Sequence, residues 1–162
     1  MPNSNTTPVD VRGPRFTAWV TTAVLVGVLL ISGFSLVGAT ALLAAQAVVF
    51  AVGALAGSRR NPYGMLFARF VAPRLSPVTE REPVAPLRFA QLVGLIFAVI
   101  GVAGFATAPS VGLTATALAL TAAFLNAAFG ICLGCQLYPL VVRLRATSGM
   151  TAESPAKSFA SK

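Results

Sequence analysis

Two cysteines, Cys132 and Cys135, lie three residues apart in the uncharged stretch AAFGICLGCQLYP, residues 127–139. A C-x-x-C pair is typical of thiol–disulfide exchange or of metal binding, because the thiolate is both a nucleophile and a metal ligand. Structural zinc normally takes four cysteine or histidine ligands, whereas the chain has two cysteines and no histidine. The sequence therefore favours a redox pair without a metal or another cofactor. The alternative is two small cysteines that only pack in the core.

Uncharged polar residues within the apolar sequence are the other candidates for function, because hydrocarbon offers side chains no water. They are Gln46, Gln91, Asn126 and Gln136. We expect them either to line a polar path or to form hydrogen bonds between helices. The acidic residues all lie outside the apolar segments, so an ion-coupled pump would lack its usual titrating group.

The composition is that of a membrane protein, since 56% of the residues are hydrophobic and only 10% are charged. Charged residues are absent from 16 to 58 and from 89 to 142, and each gap is long enough for a helical hairpin. We predict an all-α membrane protein with four transmembrane helices in two hairpins. A cleaved signal peptide is the alternative for the first span, although its apolar core would be shorter. The predicted spans are 16–36, 39–57, 88–107 and 113–142.

The fourth predicted span places both cysteines on one continuous helix, about 16 and 12 Å from Arg143 along its axis. Side chains three residues apart on a helix have Cβ atoms about 5–6 Å apart, whereas a relaxed disulfide needs about 3.5–4.5 Å. We therefore expect the reduced dithiol at rest. The cysteines and Gln136 share one face of this helix, and Asn126, Gly130 and Gly134 share nearly the opposite one. We expect the cysteine face to turn into the bundle and the Gly130-x-x-x-Gly134 face to pack on another helix, as in a homo- or hetero-oligomer.

The basic residues indicate the orientation in the membrane. All twelve lie in the N-terminus, the central loop or the C-terminus, and the short turns near Ser35 and Ala108 contain none. The positive-inside rule therefore predicts that both termini and the central loop lie in the cytoplasm. The net charge of +8 favours contact with anionic headgroups of the lipid bilayer, and no nucleic-acid-binding motif accompanies it.

The predicted four-helix domain spans 10–146, between tails at 1–9 and 147–162 that we expect to be disordered. In the cytoplasmic loop, 58–87, the stretch NPYGMLFARFVAPRL combines apolar side chains with two arginines. It predicts a short amphipathic helix in the membrane interface. The prolines of SPVTEREPVAP then predict an extended connector.

The two hairpins begin with similar sequences, GPRFTAWV and APLRFAQLV, in which Arg15-Phe16 corresponds to Arg88-Phe89. An old duplication is one explanation. The other is that an arginine reaching the headgroups beside a phenylalanine is common at the start of any membrane helix. The sequence leaves both explanations open.

Three stretches together resemble one family: VDVRGPRF near the N-terminus, EPVAPLRFAQ before the third span and LNAAFGICLGCQLYPL in the fourth. It is the bacterial membrane family called domain of unknown function 4395, and the resemblance covers about residues 9–145. The family motif commonly has an acidic residue where this chain has Gln136. Similar membrane proteins are associated with thioredoxin-like and sulfurtransferase proteins. The resemblance thus implies the bacterial cytoplasmic (inner) membrane and a partner of that kind, but no reaction.

The leading functional hypothesis is thiol–disulfide exchange or sulfur handling by Cys132 and Cys135 at the cytoplasmic side. A soluble thioredoxin-like or sulfurtransferase protein would be the partner, and the sequence does not decide which cysteine attacks. The second hypothesis is an accessory or assembly subunit without chemistry. The third is a channel or carrier for a small solute, with the glutamines along its path. Whether the protein is an enzyme stays open at this point.

Overall fold

A computed structural model describes residues 9–57, 60–75, 81–82 and 84–150, with the backbone alone at 9, 81–82, 84, 134–135 and 145–150. The described chain is almost entirely helical. Its α-helices are α1 Arg12–Ser32, α2 Leu36–Ala56, α3 Pro62–Leu66, α4 Val84–Thr107, α5 Pro109–Phe129 and α6 Leu133–Met150. A π-helical turn, Phe67–Val71, and a 3-10 turn, Ala72–Arg74, continue α3. Two short strands, β1 Val9–Asp10 and β2 Arg81–Glu82, precede α1 and α4 along the chain and pair antiparallel with each other.

Within these residues, four helices are long and apolar enough to cross a membrane. Their mean hydropathy lies between 1.6 and 2.2, and no more than 28% of each apolar segment is buried inside the bundle. The large apolar remainder is the kind of surface that a bilayer covers. The prediction of an all-α membrane protein with four such helices is therefore confirmed. The four segments are Arg12–Ser32, Leu36–Ala56, Ala85–Thr107 and Pro109–Phe129.

The four long helices form a bundle in which each hairpin packs against the other. α1 contacts α2 and α5, while α4 contacts α2, α5 and α6. The centre of the bundle is apolar, and Leu25, Val28, Leu43 and Ala98 are almost completely buried there. Lipid tails are as apolar as these side chains, so close packing, rather than exclusion of water, holds such helices together.

The two hairpins turn differently. The first turn covers residues 33–35, and the Ser35 hydroxyl caps α2 by accepting a hydrogen bond from the N–H of Gly38 at 3.1 Å. The second turn is Ala108 alone, because Pro109 takes the first position of α5, where an N–H would have no helical partner. α4 and α5 approach closely here: a Cβ on Gly104 would lie 2.4 Å from the backbone nitrogen of Gly112.

The two halves of the described chain repeat at a constant shift of 73 residues (88 − 15 for the arginines that open the hairpins). The same shift relates Gly57 to Gly130, the bounds of α2 to those of α5, and Val9 to Glu82. Val9 and Glu82 also pair with each other across the two strands. A pairing of equivalent residues is expected where a two-fold axis passes between two copies. These relations favour duplication, with parallel repeats about an axis along the bundle.

The fourth predicted span differs from the structure. The sequence predicts one helix over 113–142, but α5 ends at Phe129 and α6 begins at Leu133. The physical reason is Gly130, whose φ of 71° lies in the left-handed region and ends the helix. α6 then continues to Met150, inside the segment 147–162 that the sequence predicts as a disordered tail.

The central loop contains a short helix where the sequence predicts one. α3 begins after Asn61, whose side-chain oxygen accepts a hydrogen bond from the N–H of Tyr63 at 2.9 Å. Phe67 is buried against α1, whereas Met65 and Phe70 are exposed near Arg69, as suits a segment at a membrane surface. Other predictions lie outside the described residues: the tails at 1–8 and 151–162, and the connector at 76–80 and 83.

Candidate functional site

A glycine turn at the end of α5 leads to the first cysteine. The N–H groups of Gly130 and Ile131 donate to the carbonyls of Asn126 and Leu125 at 3.1 and 3.3 Å, which satisfies the last turn of the helix. A Cβ on Gly130 would lie 2.9 Å from Nη2 of Arg15, so the guanidinium packs directly over the turn. A cation in this position is favourable, because the carbonyl end of a helix carries partial negative charge.

Cys132 lies at the start of α6. Its carbonyl accepts a hydrogen bond from the N–H of Gln136 at 3.0 Å, which places Cys132 at the N-cap and Cys135 in the first turn. The partial positive charge of a helix N-terminus stabilises a thiolate, the reactive form of cysteine. The prediction of both cysteines on one continuous helix is therefore wrong. The strain expected of a disulfide between two helical residues does not apply to Cys132, which precedes the helix.

A cavity of about 800 Å³ lies at this end of the bundle, between the two hairpins, and half-buried Cys132 lines it. Most of the wall is apolar, and Phe50, Phe67, Phe97 and Leu118 are among its large side chains. Besides Cys132, the polar side chains of the wall are Thr17, Thr21, Asn61, Gln91, Thr121, Asn126 and Asp10. The cavity thus places one thiol beside amide and hydroxyl groups in apolar surroundings.

The cavity lies on the axis between the two repeats. Several of its lining residues come in pairs that the shift of 73 relates: Pro14 and Leu87, Thr17 and Ala90, Ala18 and Gln91, Thr21 and Gly94, and Phe50 and Ala123. The two copies therefore face each other across the same space. Membrane proteins built from repeats commonly bind their substrates at such an interface.

Of the predicted site residues, Cys132, Gln91 and Asn126 line the same cavity. The sequence predicts Asn126 on the face opposite the cysteines, but the turn at Gly130 removes that helical phase. Gly130 itself ends α5, so Gly130 and Gly134 do not form one continuous helical face for packing. The side chain of Cys135 lies outside the described part of the molecule.

Gln46 and Gln136 occupy other places. Gln46 is only 1% exposed, and its Oε1 accepts a hydrogen bond from the hydroxyl of Tyr63 at 2.8 Å. Gln136 is exposed on α6. Neither of them is among the described residues that line the cavity, so of the three glutamines expected along a polar path only Gln91 lies there.

A polar cluster between α2, α3 and α4 is not evident from the sequence. The Asn61 Nδ2 donates to the carbonyl of Val49 at 3.3 Å, beside the hydrogen bond from Tyr63 to Gln46. A Cβ on Gly53 would lie 2.8 Å from both Asn61 Nδ2 and Gln91 Oε1, so the bare glycine admits these two side chains. Burial raises the pKa of the Tyr63 phenol, which keeps it protonated as the donor.

No sequence signal links Tyr63 to Gln46, because the contact depends on α3 folding back onto α2. Thr17 and Thr21 could have been found, since polar residues four apart on an apolar helix share one face. Their equivalents in the second repeat, Ala90 and Gly94, show no such pattern. A search for polar positions with helical spacing would therefore have found one side of the cavity.

Some buried polar atoms have no hydrogen-bond partner within the described residues: Gln46 Nε2, Gln91 Oε1 and Arg88 Nε. The terminal nitrogen of Arg88 donates to the carbonyl of Leu55 near the end of α2. Leaving a buried amide unpaired costs about 1–3 kcal/mol. Gln91 also lines the cavity, while its unpaired Oε1 is buried beside Gly53 of α2.

The chemistry available in the cavity is that of a nucleophile and uncharged hydrogen-bonding groups. Across the described residues, no group of three or more His, Cys, Asp or Glu could hold a metal ion. Asp10 forms an ion pair with Arg12, with 3.7 Å between Oδ1 and Nε. The arrangement suits a reaction of the thiol with an uncharged or sulfur-containing group.

The comparisons with known proteins concern the same helices and the same site. A family model described as "Domain of unknown function (DUF4395)" matches residues 9–143, from β1 into α6. No curated protein matches the chain, and no solved structure does. The family match covers most of the chain and includes both repeats, the glycine turns and Cys132. The chain therefore belongs to the DUF4395 family.

Proposed function

We propose that this membrane protein exchanges thiols and disulfides, with Cys132 as the attacking thiol and Cys135 as the resolving thiol. The observation that carries the proposal is the position of Cys132, at the N-terminus of α6 and in the wall of the cavity. The helix terminus favours the thiolate, and the cavity gives it a space in which to react. Cys135 follows within the first helical turn, at the spacing of a resolving cysteine.

The exchange needs no further group. The thiolate of Cys132 attacks one sulfur of a partner's disulfide, whose S–S bond breaks as the mixed disulfide forms and the other partner sulfur leaves as a thiolate. The thiolate of Cys135 then attacks the Cys132 sulfur, closes the Cys132–Cys135 disulfide and releases the reduced partner. The reverse sequence oxidises a partner dithiol. A soluble thioredoxin-like or sulfurtransferase protein is the expected partner.

We place the site at the cytoplasmic side of a bacterial cytoplasmic membrane. The arginines of the chain support this orientation, because Arg15, Arg60, Arg88 and Arg143 all lie at the cavity end of the bundle or just beyond it. Basic residues accumulate on the cytoplasmic side of membrane helices. A soluble partner would then approach from the same side.

The test uses the full-length protein in liposomes, with oxidised glutathione as the disulfide and acid quenching before maleimide labelling. The wild type should lose both labels on oxidation and regain them on reduction. Cys135→Ser should accumulate a mixed disulfide. Cys132→Ser keeps only Cys135, which follows the N-cap within the helix, so its reaction with glutathione should be slower by about tenfold or more. Equal reactivity of the two single variants, or thiols that react only after denaturation, would refute the proposal.

The orientation is tested separately. A membrane-impermeant maleimide applied to sealed vesicles should label Cys132 in inverted vesicles and leave it unlabelled in right-side-out vesicles. The opposite result would place the site on the other side and leave the exchange chemistry standing.

A carrier for a small neutral solute is the second candidate, because the cavity lies between two parallel repeats. Uptake of glycerol into liposomes should then survive Cys132→Ser and be lost on filling the cavity with Ala122→Phe. Thiol exchange, by contrast, should be lost with Cys132→Ser. The two variants therefore separate the candidates.

A further inference from the structure

We infer that the cavity binds a lipid-soluble quinone, which takes the electrons of the Cys132–Cys135 dithiol. The inference rests on the proposed thiol exchange and names a final acceptor for the electrons that the exchange collects. Forming one disulfide from two thiols removes two electrons and two protons, and thiol exchange alone only passes them between partners. A protein with its thiols among membrane helices can deliver them to an acceptor dissolved in the lipid.

The size and shape of the cavity fit such a molecule. Its volume of about 800 Å³ lies within the range of pockets that hold small organic ligands, roughly 300–1,000 Å³. Phe97 and Leu118, near the middle of α4 and α5, form apolar wall halfway along the helices, and Leu118 is exposed, so a hydrocarbon tail would lie there. Cys132 and Asn61 lie at the loop end, where a polar ring would meet them.

The hydrogen-bonding groups fit both redox forms of a quinone. Gln91 and Asn126 line the same cavity as Cys132, and their amides offer both donors and acceptors. Gln91 Oε1 is buried beside Gly53 without a hydrogen-bond partner among the described residues, so a ligand meets this oxygen only after the side chain turns toward the cavity. The N–H₂ would donate to a quinone carbonyl, and the carbonyl would accept from a hydroquinone hydroxyl.

The charges disfavour an anionic lipid in the same space. Among the described lining residues, the charged side chain is Asp10, a carboxylate, and none is a lysine or arginine. A fatty acid or phospholipid headgroup in the cavity would therefore bring its negative charge beside a carboxylate, while Arg12 and Arg15 lie outside the lining, where Arg12 pairs with Asp10 and Arg15 packs over the Gly130 turn. A quinone is uncharged in both its oxidised and its fully reduced form.

The redox step balances with the quinone as its only co-reactant. The two S–H bonds of Cys132 and Cys135 break, and one S–S bond forms between them. Two electrons and two protons pass to the two carbonyl oxygens of the quinone, which becomes a hydroquinone. The new disulfide then oxidises a partner dithiol by exchange, so that the net reaction converts partner dithiol and quinone to partner disulfide and hydroquinone.

The first test is binding, with decylubiquinone as the probe and the full-length protein in lipid nanodiscs. Calorimetry should detect binding to the wild type, and Ala122→Phe, which fills the cavity, should weaken it by about tenfold or more. Ala117→Phe is the matched control, because Ala117 is exposed on the same helix. Ala122→Leu is the milder second variant, and Gln91→Leu should weaken binding several-fold while exposed Gln136→Leu leaves it unchanged.

The second test is turnover, measured as hydroquinone formed without oxygen after the protein is reduced and the reductant removed. The wild type should form a stoichiometric amount, whereas Cys132→Ser should form none and Ala117→Phe as much as the wild type. The inference would be overturned if both Ala122 variants bound decylubiquinone as tightly as the wild type, or if the wild type bound oleate as tightly as decylubiquinone. Thiol exchange with glutathione but no quinone binding would overturn it and leave the proposed function intact. Quinone binding with an unreactive Cys132 would overturn the electron transfer and the proposed function together.

Discussion

The two repeats share a scaffold and differ in the segment after their second helix. α2 ends at Gly57 and α5 at Gly130, both with positive φ. Each glycine turn lies beside the arginine that opens the other hairpin, with Arg88 near Gly57 and Arg15 near Gly130. A cation thus meets the negative end of a helix dipole twice, at equivalent places. The duplication therefore repeats not only the helices but also the contact between an arginine and the C-terminal end of a helix.

The aromatic contacts repeat as well. Phe16 packs against Phe67 with ring centroids 5.7 Å apart, and its equivalent Phe89 packs against Tyr138 at 6.0 Å. In both repeats the phenylalanine at the start of the hairpin therefore contacts the segment that comes after the same hairpin.

The difference lies at the N-cap of the helix that comes next. Asn61 caps the five-residue α3 with its side chain and joins a buried polar cluster, whereas Cys132 begins the 18-residue α6. Both residues line the cavity. One repeat thus uses this place for a structural cap and the other for a thiol. The two similar repeats together form the cavity, and the different N-cap residues, Asn61 and Cys132, give its two sides different chemical groups.

The turns of the two hairpins provide the largest expected effect. Gly104→Ala should destabilise the fold by about 3 kcal/mol, because its Cβ would meet the backbone of Gly112, which cannot move without separating α4 from α5. The equivalent position in the first repeat is Ile31, which is partly exposed, so Ile31→Ala should cost about 1 kcal/mol or less.

Unfolding in detergent, followed by circular dichroism, measures both variants. If Gly104→Ala is as stable as the wild type, the second turn is as loosely packed as the first. The helix propensity that alanine gains over glycine, about 1 kcal/mol, would then outweigh the contact.

Substitutions at Gly57 and Gly130 test whether the two glycine turns contribute equally to stability. Gly57 has φ 83° and ψ 168°, a region that is essentially restricted to glycine, so Gly57→Ala should cost about 2–3 kcal/mol. Gly130 has φ 71° and ψ 12°, the left-handed helical region, so Gly130→Ala should cost about 1 kcal/mol. Gly130→Asn should cost less than Gly130→Ala, because asparagine tolerates this conformation.

Gly27→Ala is the control for the glycine variants, since its Cβ would be in ordinary contact with Leu42 at 3.7 Å. It should leave stability unchanged or slightly raised. Equal losses at Gly57 and Gly130 would mean that the two turns are equivalent in energy as well as in position.

The membrane spans could be predicted because they depend on features that the sequence shows directly. Long gaps without charge locate the apolar helices, and Pro109 and Ser35 lie at helix starts that follow from simple capping chemistry. The repeat was visible only in Arg15-Phe16 and Arg88-Phe89. Lipid-facing positions accept any apolar residue, so most equivalent positions no longer hold the same amino acid.

The break after α5 could not be predicted in the same way. Glycine is frequent within membrane helices, so Gly130 alone does not indicate an end, and the apolar sequence continues through Cys132. The end depends on a positive φ and on Arg15, which comes from α1, more than 100 residues earlier in the chain. For the same reason the two cysteines could be identified as candidates, but the position of Cys132 at a helix start could not.

Tyr63 provides a smaller test of the structural cap in the first repeat. Tyr63→Phe removes the hydrogen bond to Gln46 Oε1 and leaves both polar ends of that buried amide unpaired, because its Nε2 has no partner within the described residues. The expected loss of stability is about 1 kcal/mol. Tyr138→Phe is the matched control, since it keeps the ring that packs on Phe89. A larger loss at Tyr138 would show that the second repeat holds the more important contact.

The alkaline titration of Tyr63 provides the smallest effect and the most direct view of the cluster. Burial raises the pKa of the Tyr63 phenol above its usual value of 10. The folded state therefore holds this proton more tightly than the unfolded state, so the stabilisation is complete below pH 10 and is lost as the pH rises through the folded pKa. In the Tyr138→Phe variant, phenolate absorbance reports Tyr63 alone and should rise with a midpoint above pH 10, and Tyr63→Phe should lose less stability over the same range. A midpoint at or below pH 10 would mean that water reaches the Asn61 cap as freely as it reaches an exposed helix end. The two repeats would then differ at their N-caps only in carrying an amide or a thiol, and not in burial.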